Sequence, residues 1–400
     1  MIKRELYLKK LRPSYDNELI KVIMGMRRCG KSVLLSQIIE ELQERGIKKN
    51  HIIYMNFENY DYIDYTEPKK FNDYIKKQIK DNDKYYLLFD EIQEVKDFER
   101  VINSFRATMN VSIFITGSNS KLLSGELATF LTGRYITINM MPFTYREFLE
   151  LKKSKQQEIT GKTFEEYVEW GGMPLIYNTN DETERKMYLR DLYNAVILKD
   201  IVERNKIKDI NLLNKIIQFM MENIGGIISP NSIAGYLKQE RINTTVDTVL
   251  NYVSYITASS IFNKVNRYDI RGKSVMATLE KYYLTDLGLL TLKSSPIEKK
   301  IGGRLENIVY NELKARGYEV FIGKTTKGEI DFVIDNFGER EYIQVADYLS
   351  SEEVLEREFG AFKSVEDNYP KYVITMDKMN YSQNGIKHLN IEDFLLDEKL

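Results

Sequence analysis

Gly25-Met26-Arg27-Arg28-Cys29-Gly30-Lys31-Ser32 places two glycines, a lysine and a hydroxyl at the GxxxxGK[ST] spacing. Glycines let a backbone turn tightly and aim several N–H groups at one point, and such a loop feeding a helix N-terminus suits phosphate. On this reading Lys31 bridges the β- and γ-phosphates of a nucleotide and the Ser32 hydroxyl ligates Mg²⁺. Gly25, Met26, Arg27, Arg28, Cys29, Gly30 and Val33 complete the cradle. Arg27 and Arg28 either touch phosphate or face solvent, and Cys29 reads as a small side chain in a tight loop, not a redox group. Further along, Leu87-Leu88-Phe89-Asp90-Glu91 ends an apolar run on two carboxylates. Asp90 is suited to the metal and Glu91 to polarising an attacking water. Ser118 and Asn119, in Ile115-Thr116-Gly117-Ser118-Asn119, read as γ-phosphate sensors or as a simple turn. Arg134, in Thr132-Gly133-Arg134, is a catalytic finger or sensor, or a surface ion pair. The chemistry implied is ATP hydrolysis, with ATP and Mg²⁺ as cofactors.

The elements that must hold these groups alternate in type. Short apolar runs at 20–24, 52–57, 85–89, 111–116 and 135–138 read as buried strands. Between them, helical periodicity covers 31–44, 71–79 and the stretch through Phe98, Val101, Ile102 and Phe105. Strand–helix alternation predicts a parallel sheet covered on both faces. The expected fold class is α/β: a P-loop NTPase parallel sheet over 1–143, with a helical lid over 144–205. Trp170-Gly171-Gly172-Met173-Pro174 breaks the helical pattern of the lid. Residues 206–295 predict three helices, at 210–224, 230–238 and from a Thr244 or Thr245 cap to 256. Strands at 261–265 and 282–284 then flank a charged loop, the order of a winged-helix domain. From 296 to 400 the order is helix, three strands, helix, strand.

The sequence motifs resemble those of bacterial and archaeal AAA-type ATPases that carry a C-terminal domain of unknown function. The likeness rests on Met24 to Ser32, Phe89-Asp90-Glu91-Ile92-Gln93, Ile115 to Asn119, Thr132-Gly133-Arg134 and Gly171-Gly172-Met173-Pro174. It implies an AAA core, a helical lid, a winged-helix middle and a nuclease-like end. In the last part, Glu306 on a helix, Asp331 on a strand and Gln344 on the next strand resemble the PD-(D/E)xK pattern. There the two acids and the Glu or Gln form a second metal site, and a lysine two residues on positions water. Ala346 stands at that lysine position, so the expectation is a pseudo-nuclease, with Lys324 or Lys327 as substitutes for the charge.

The third helix of the winged-helix segment carries no basic residue. The wing carries Lys264, Arg267, Arg271 and Lys273, which suits phosphate contact with double-stranded DNA; packing between domains is the alternative. The formal net charge of −1, from 58 basic and 59 acidic residues, provides no global field, so any DNA or protein partner must be met locally. One cysteine excludes an internal disulfide framework, and with two histidines it cannot build a His/Cys zinc site. No apolar run suits a signal peptide or a membrane span, so the expected location is cytoplasmic, with no membrane partner. An oligomer is compatible with all of this. Three functions compete: an ATP-hydrolysing switch coupled to a DNA or protein partner, an ATP-regulated Mg-dependent nuclease, and an ATP-binding interaction module with negligible hydrolysis.

Overall fold

Three apolar strands that are neighbours in the sheet, β1 (Ile20–Gly25), β3 (Tyr85–Asp90) and β4 (Val111–Gly117), are buried along their whole length. That is the pattern of central parallel strands covered on both faces. With β2 (Ile52–Asn56) and β5 (Tyr135–Met140) they form an all-parallel sheet in the order β2-β3-β4-β1-β5. The computed structural model describes residues 2–117, 131–292, 301–326, 328–336 and 338–397. Because side chains alternate along a strand, each face receives its own set. Ile23, Leu88 and Phe114 pack under α1 (Glu5–Leu11) and α2 (Lys31–Glu44) through Leu8, Leu34 and Ile38. Met24, Phe89 and Ile115 pack under α3 (Pro68–Gln78) and α4 (Phe98–Thr108) through Phe71, Ile102 and Phe105. The α/β class and the parallel P-loop-type sheet expected from the sequence are present.

The chain divides into two units, Met1–Met140 and Met141–Leu400. The second begins with helices α5 (Tyr145–Ser154), α6 (Thr163–Trp170) and α7 (Glu182–Ala195). Trp170 is the last residue of α6, as the Gly-Gly-Met-Pro turn predicts. Gly171 has φ +74°, and a Cβ there would lie 2.2 Å from Asp286 Oδ1; one on Gly172 would lie 2.2 Å from the Phe143 carbonyl oxygen. Asp286 accepts hydrogen bonds from the N–H groups of Gly172 (2.7 Å) and Gly288 (2.9 Å). The glycine pair is therefore a close-packing device.

Helices α8 (Ile210–Glu222), α9 (Pro230–Gln239) and α10 (Val246–Ala258) follow, with α9 capped by Ser229 and α10 by Thr245, not Thr244. The hairpin β7 (Phe262–Asp269) and β8 (Ser274–Leu284) is longer than expected. Most of the anticipated charged loop is strand, leaving only 270–273 as the turn. The hairpin is also not a separate layer. β6 (Ile227–Ile228) pairs with β8, while β7 pairs in parallel with β9 (Glu319–Lys324), joining β10 (Glu329–Asn336), β11 (Glu339–Val345), β12 (Lys371–Thr375) and β13 (Lys387–Asn390) in one eight-stranded sheet. Tyr268 of β7 shares a core with Ile330, Tyr342, Phe359 and Val373. The boundary expected at 295/296 thus falls within a unit built on a continuous sheet. Helix α11 (Ile301–Arg316) packs on it. Among the described residues no helix is long and apolar enough to cross a membrane.

Candidate functional site

The phosphate-type loop joins the C-terminal end of β1 to the N-terminus of α2. Gly30, at φ +104°, is the N-cap of α2, and a Cβ on Gly25 would lie 2.4 Å from the Met140 carbonyl oxygen. Neither position tolerates a side chain without distortion. Lys31 is only 5% exposed, and its ammonium donates to the carbonyl oxygens of Gly25 (3.2 Å) and Met26 (3.4 Å). Ser32 is exposed in the first turn of α2. Cys29 is fully buried, and burial pushes its thiol up, in keeping with a packing role. Arg27 lies 3.6 Å from Glu58. One brace was not legible in the sequence: buried Arg4 donates from Nη1 to the Cys29 carbonyl (2.8 Å), while its backbone N–H meets Gln37 Oε1.

Strand order brings the carboxylates to the same end of the sheet, because β4 alone separates β1 from β3. Asp90 is fully buried and accepts from the Thr116 hydroxyl and from the Tyr54 hydroxyl (3.2 Å). Thr116 Oγ1 in turn accepts the Glu91 N–H (3.0 Å). Glu91 adopts φ +52°, and its Oε1 stands 3.7 Å from Lys31 Nζ while Oε2 accepts from Gln93 Nε2. Lys31, Asp90 and Glu91 are therefore brought together; Thr116, Tyr54 and Gln93 are the neighbours that sequence reasoning missed. Ser118 and Asn119 lie outside the described residues. Arg134 requires a correction. Its carbonyl accepts the Ile20 N–H at the start of β1, and its side chain meets Asn103 (3.1 Å). The full length of β1, at about 3.3 Å per residue, lies between it and the phosphate-type loop. It cannot serve a nucleotide held by the same chain.

In the second unit, Glu306, Asp331 and Gln344 do converge. Asp331 follows Ile330, where the β9–β10 register shifts; its Oδ2 accepts the Val345 N–H (2.9 Å), and Gln344 Oε1 accepts the Asp331 N–H (3.3 Å). Between the acids sits a group absent from the expected set, Lys281 of β8. Its ammonium lies 2.9 Å from Glu306, 2.8 Å from Glu329 and 3.5 Å from Asp331. Burial opposes the Lys281 charge, yet Glu306, Asp331 and Glu329 outweigh it and hold its pKa above the ordinary lysine value. Of the substitutes expected from the sequence, Lys324 ends β9 with no such contact, and Lys327 lies outside the described residues.

The wing residues divide into two pairs. Lys264 is paired with Glu280 (2.7 Å), and Arg267 is 9% exposed beside Glu329. Arg271 and Lys273 are exposed at the hairpin turn, on the rim of a cleft of about 1100 Å³ that also touches Glu329, Gln344, Arg357 and Lys363. The second pair is placed to meet an outside phosphate, whereas the exposed Lys264 would first have to leave Glu280.

Comparison with known proteins agrees with the first of these sites. An AAA domain family matches residues 17–149, and a domain of unknown function, DUF8612, matches 161–296. An uncharacterized protein of Haemophilus influenzae is 37% identical over 399 residues, covering 99% of each chain. One from Methanocaldococcus jannaschii is 30% identical over 387 residues, covering 94% of this chain and 85% of the other. Among solved structures, AMPPCP-bound DnaA from Aquifex aeolicus aligns with a TM-score of 0.33 at 15% identity, over 63% of this chain and 86% of that one.

Proposed function

Since the chain belongs to the same family as the Haemophilus influenzae and Methanocaldococcus jannaschii proteins and carries an AAA domain, we propose that its first unit binds and hydrolyses Mg·ATP as a switch. The observation that carries this reading is the pairing of Lys31 with Glu91 across β4. Lys31 rests on two backbone carbonyls and one carboxylate, and phosphate oxygens are stronger acceptors for an ammonium than carbonyls. Mg·ATP supplies the electrophilic phosphorus and the metal charge. The exposed Ser32 hydroxyl and the buried Asp90 carboxylate are of the oxygen type that Mg²⁺ prefers. Once Lys31 turns to phosphate, the Glu91 carboxylate is released to take a proton from water, with Thr116 fixing its backbone. Ser118 and Asn119 are retained as sensor candidates. Arg134 is assigned a role only toward the nucleotide of a neighbouring copy in an oligomer.

The second unit we assign to partner binding, with Arg271 and Lys273 as contacts to the phosphates of double-stranded DNA; a protein partner is the other outcome of the test. ATP turnover is to be measured with Mg²⁺, with and without DNA. Lys31→Ala should weaken ATP binding by about 1.5–3 kcal/mol, the worth of a charge-assisted contact. Glu91→Gln should bind ATP as the wild type does and lose about 10²–10⁴-fold in turnover. Wild-type turnover in Glu91→Gln would remove Glu91 from the mechanism, and a wild type without turnover would leave a nucleotide-binding module. Stimulation by DNA supports the DNA partner; its absence supports a protein one.

A further inference from the structure

The acid, acid and Gln-x-Ala pattern of the second unit leads to an expectation of Mg²⁺ among Glu306, Asp331 and Gln344, with no lysine to help it. The structure puts a lysine there, from a strand far from the motif. Lys281 is 4% exposed, and three carboxylates from α11 and β10 stand 2.8–3.5 Å from its ammonium. Tyr283, two residues on and so on the same face of β8, donates its hydroxyl to Glu306. We propose that the Lys281 ammonium is itself the resident cation of this site, in the position a divalent ion would take, so that the C-terminal sheet is a metal-free, non-hydrolysing body. This holds whether or not the first unit hydrolyses ATP.

Three observations carry it. The separations from Glu306 and Glu329, 2.9 and 2.8 Å, are those of N–H···O bonds and that from Asp331, 3.5 Å, is an ion-pair distance, whereas Mg²⁺ draws oxygen ligands to about 2.0–2.1 Å in a tight octahedron. Among the described residues Glu306, Glu329 and Asp331 do not form a group whose carboxylate oxygens all lie within 4.8 Å of one another, although each of the three faces the same ammonium. Two further acceptors are already engaged, Asp331 Oδ2 by the Val345 N–H and Gln344 Oε1 by the Asp331 N–H, while Glu329 Oε2 has no hydrogen-bond donor and stands 3.9 Å from Arg267 Nη2. A divalent ion would have to enter beside a buried ammonium and displace backbone donors. The cluster ties β8 to α11 and β10, which is a bracing role. The charge missing at Ala346 has been replaced by one that neutralises the acids, and it does not position water.

The test uses the full chain without nucleotide, titrated with Mn²⁺ and followed by electron paramagnetic resonance and thermal melting. The wild type should bind no Mn²⁺ in a manner sensitive to Asp331→Asn, should melt at the same temperature with and without the ion, and should not cut DNA with Mg²⁺ or Mn²⁺. Lys281→Met strips the acids of their cation and should melt lower. It should bind Mn²⁺ at least about tenfold more tightly than the wild type, and the ion should raise its melting temperature. Adding Asp331→Asn should abolish both gains. If Lys281→Met does not fold, Lys281→Met/Glu329→Gln, which removes one charge of each sign and leaves Glu306, Asp331 and Gln344 in place, carries the same expectation. Asp331-dependent Mn²⁺ binding or DNA cleavage by the wild type overturns the proposal. So does a folded Lys281 variant that gains no ion.

Discussion

A single hydroxyl, that of Thr116, ties the Asp90 carboxylate to the backbone of Glu91: it donates to Asp90 and accepts the N–H of Glu91. The motif residues themselves were legible, since the Gly25–Ser32 spacing and the Asp90-Glu91 pair are contiguous in the chain. Thr116 was not, because its partners become neighbours only when β4 pairs with β3. Arg4 on the Cys29 carbonyl is hidden for the same reason. The same strands contain a residue with a pH signature. Lys21 on β1 is fully buried, donates to Ser112 Oγ (2.8 Å), and is pulled down by burial to about 7. An unfolded lysine titrates near 10.4, so between these values the unfolded chain binds the extra proton. Stability attributable to Lys21 should therefore rise as pH rises from about 7 to 10, by up to about 1.4 kcal/mol per pH unit. Denaturant midpoints of the wild type and Lys21→Met across that range check this; parallel curves would show that Lys21 is not the source.

At the scale of elements, the turn after α6 and the hairpin behave differently from what their composition suggests. The Gly171-Gly172 pair looks like part of a functional signature, but Asp286 and the Phe143 carbonyl occupy the space a Cβ would need. Gly172→Ala should lower stability by about 1–3 kcal/mol through overpacking against backbone. Urea unfolding reads this directly, and a neutral result would mean that the Phe143 segment yields. The hairpin was expected to offer four cations. Extended pairing puts Lys264 against Glu280 and buries Arg267, because a strand sends alternate side chains inward. Two remain for DNA. Replacing Arg271 and Lys273 with Gln should flatten the slope of log affinity against log salt by about 1.8, at about 0.9 per contact. A residual slope of about −1.8 in that variant would show that Lys264 and Arg267 leave their partners on binding.

At the scale of the molecule, the second unit is built on one sheet from β6 to β13, and the hairpin beside its β6 edge is continuous, through β9, with the strands that carry Asp331 and Gln344. The parallel β7–β9 pairing and the Lys281 cluster cross the boundary that the sequence suggested. Hydrogen exchange should therefore find the amides of the β7–β8 ladder and those of the β10–β11 ladder opening with the same free energy, as one cooperative unit. A hairpin that exchanges well before the β10–β11 ladder would separate the two after all.

What the sequence determined by itself is what local pattern encodes. Glycine spacing before a helix, carboxylates ending an apolar run, and strand–helix alternation together specify the parallel sheet and the groups at its C-terminal edge. The helix cap at Ser229 was equally local, while the choice between Thr244 and Thr245 fell to the structure, which caps the helix with Thr245. Tertiary structure alone decided which distant groups share a site. It moved Arg134 to the far end of the sheet from the phosphate-type loop, joined the hairpin to the last strands, and set Lys281 among acids that follow it by 25 to 50 residues. Strand order and register control such placements, and both depend on burying all faces at once, a condition that no short window of sequence contains.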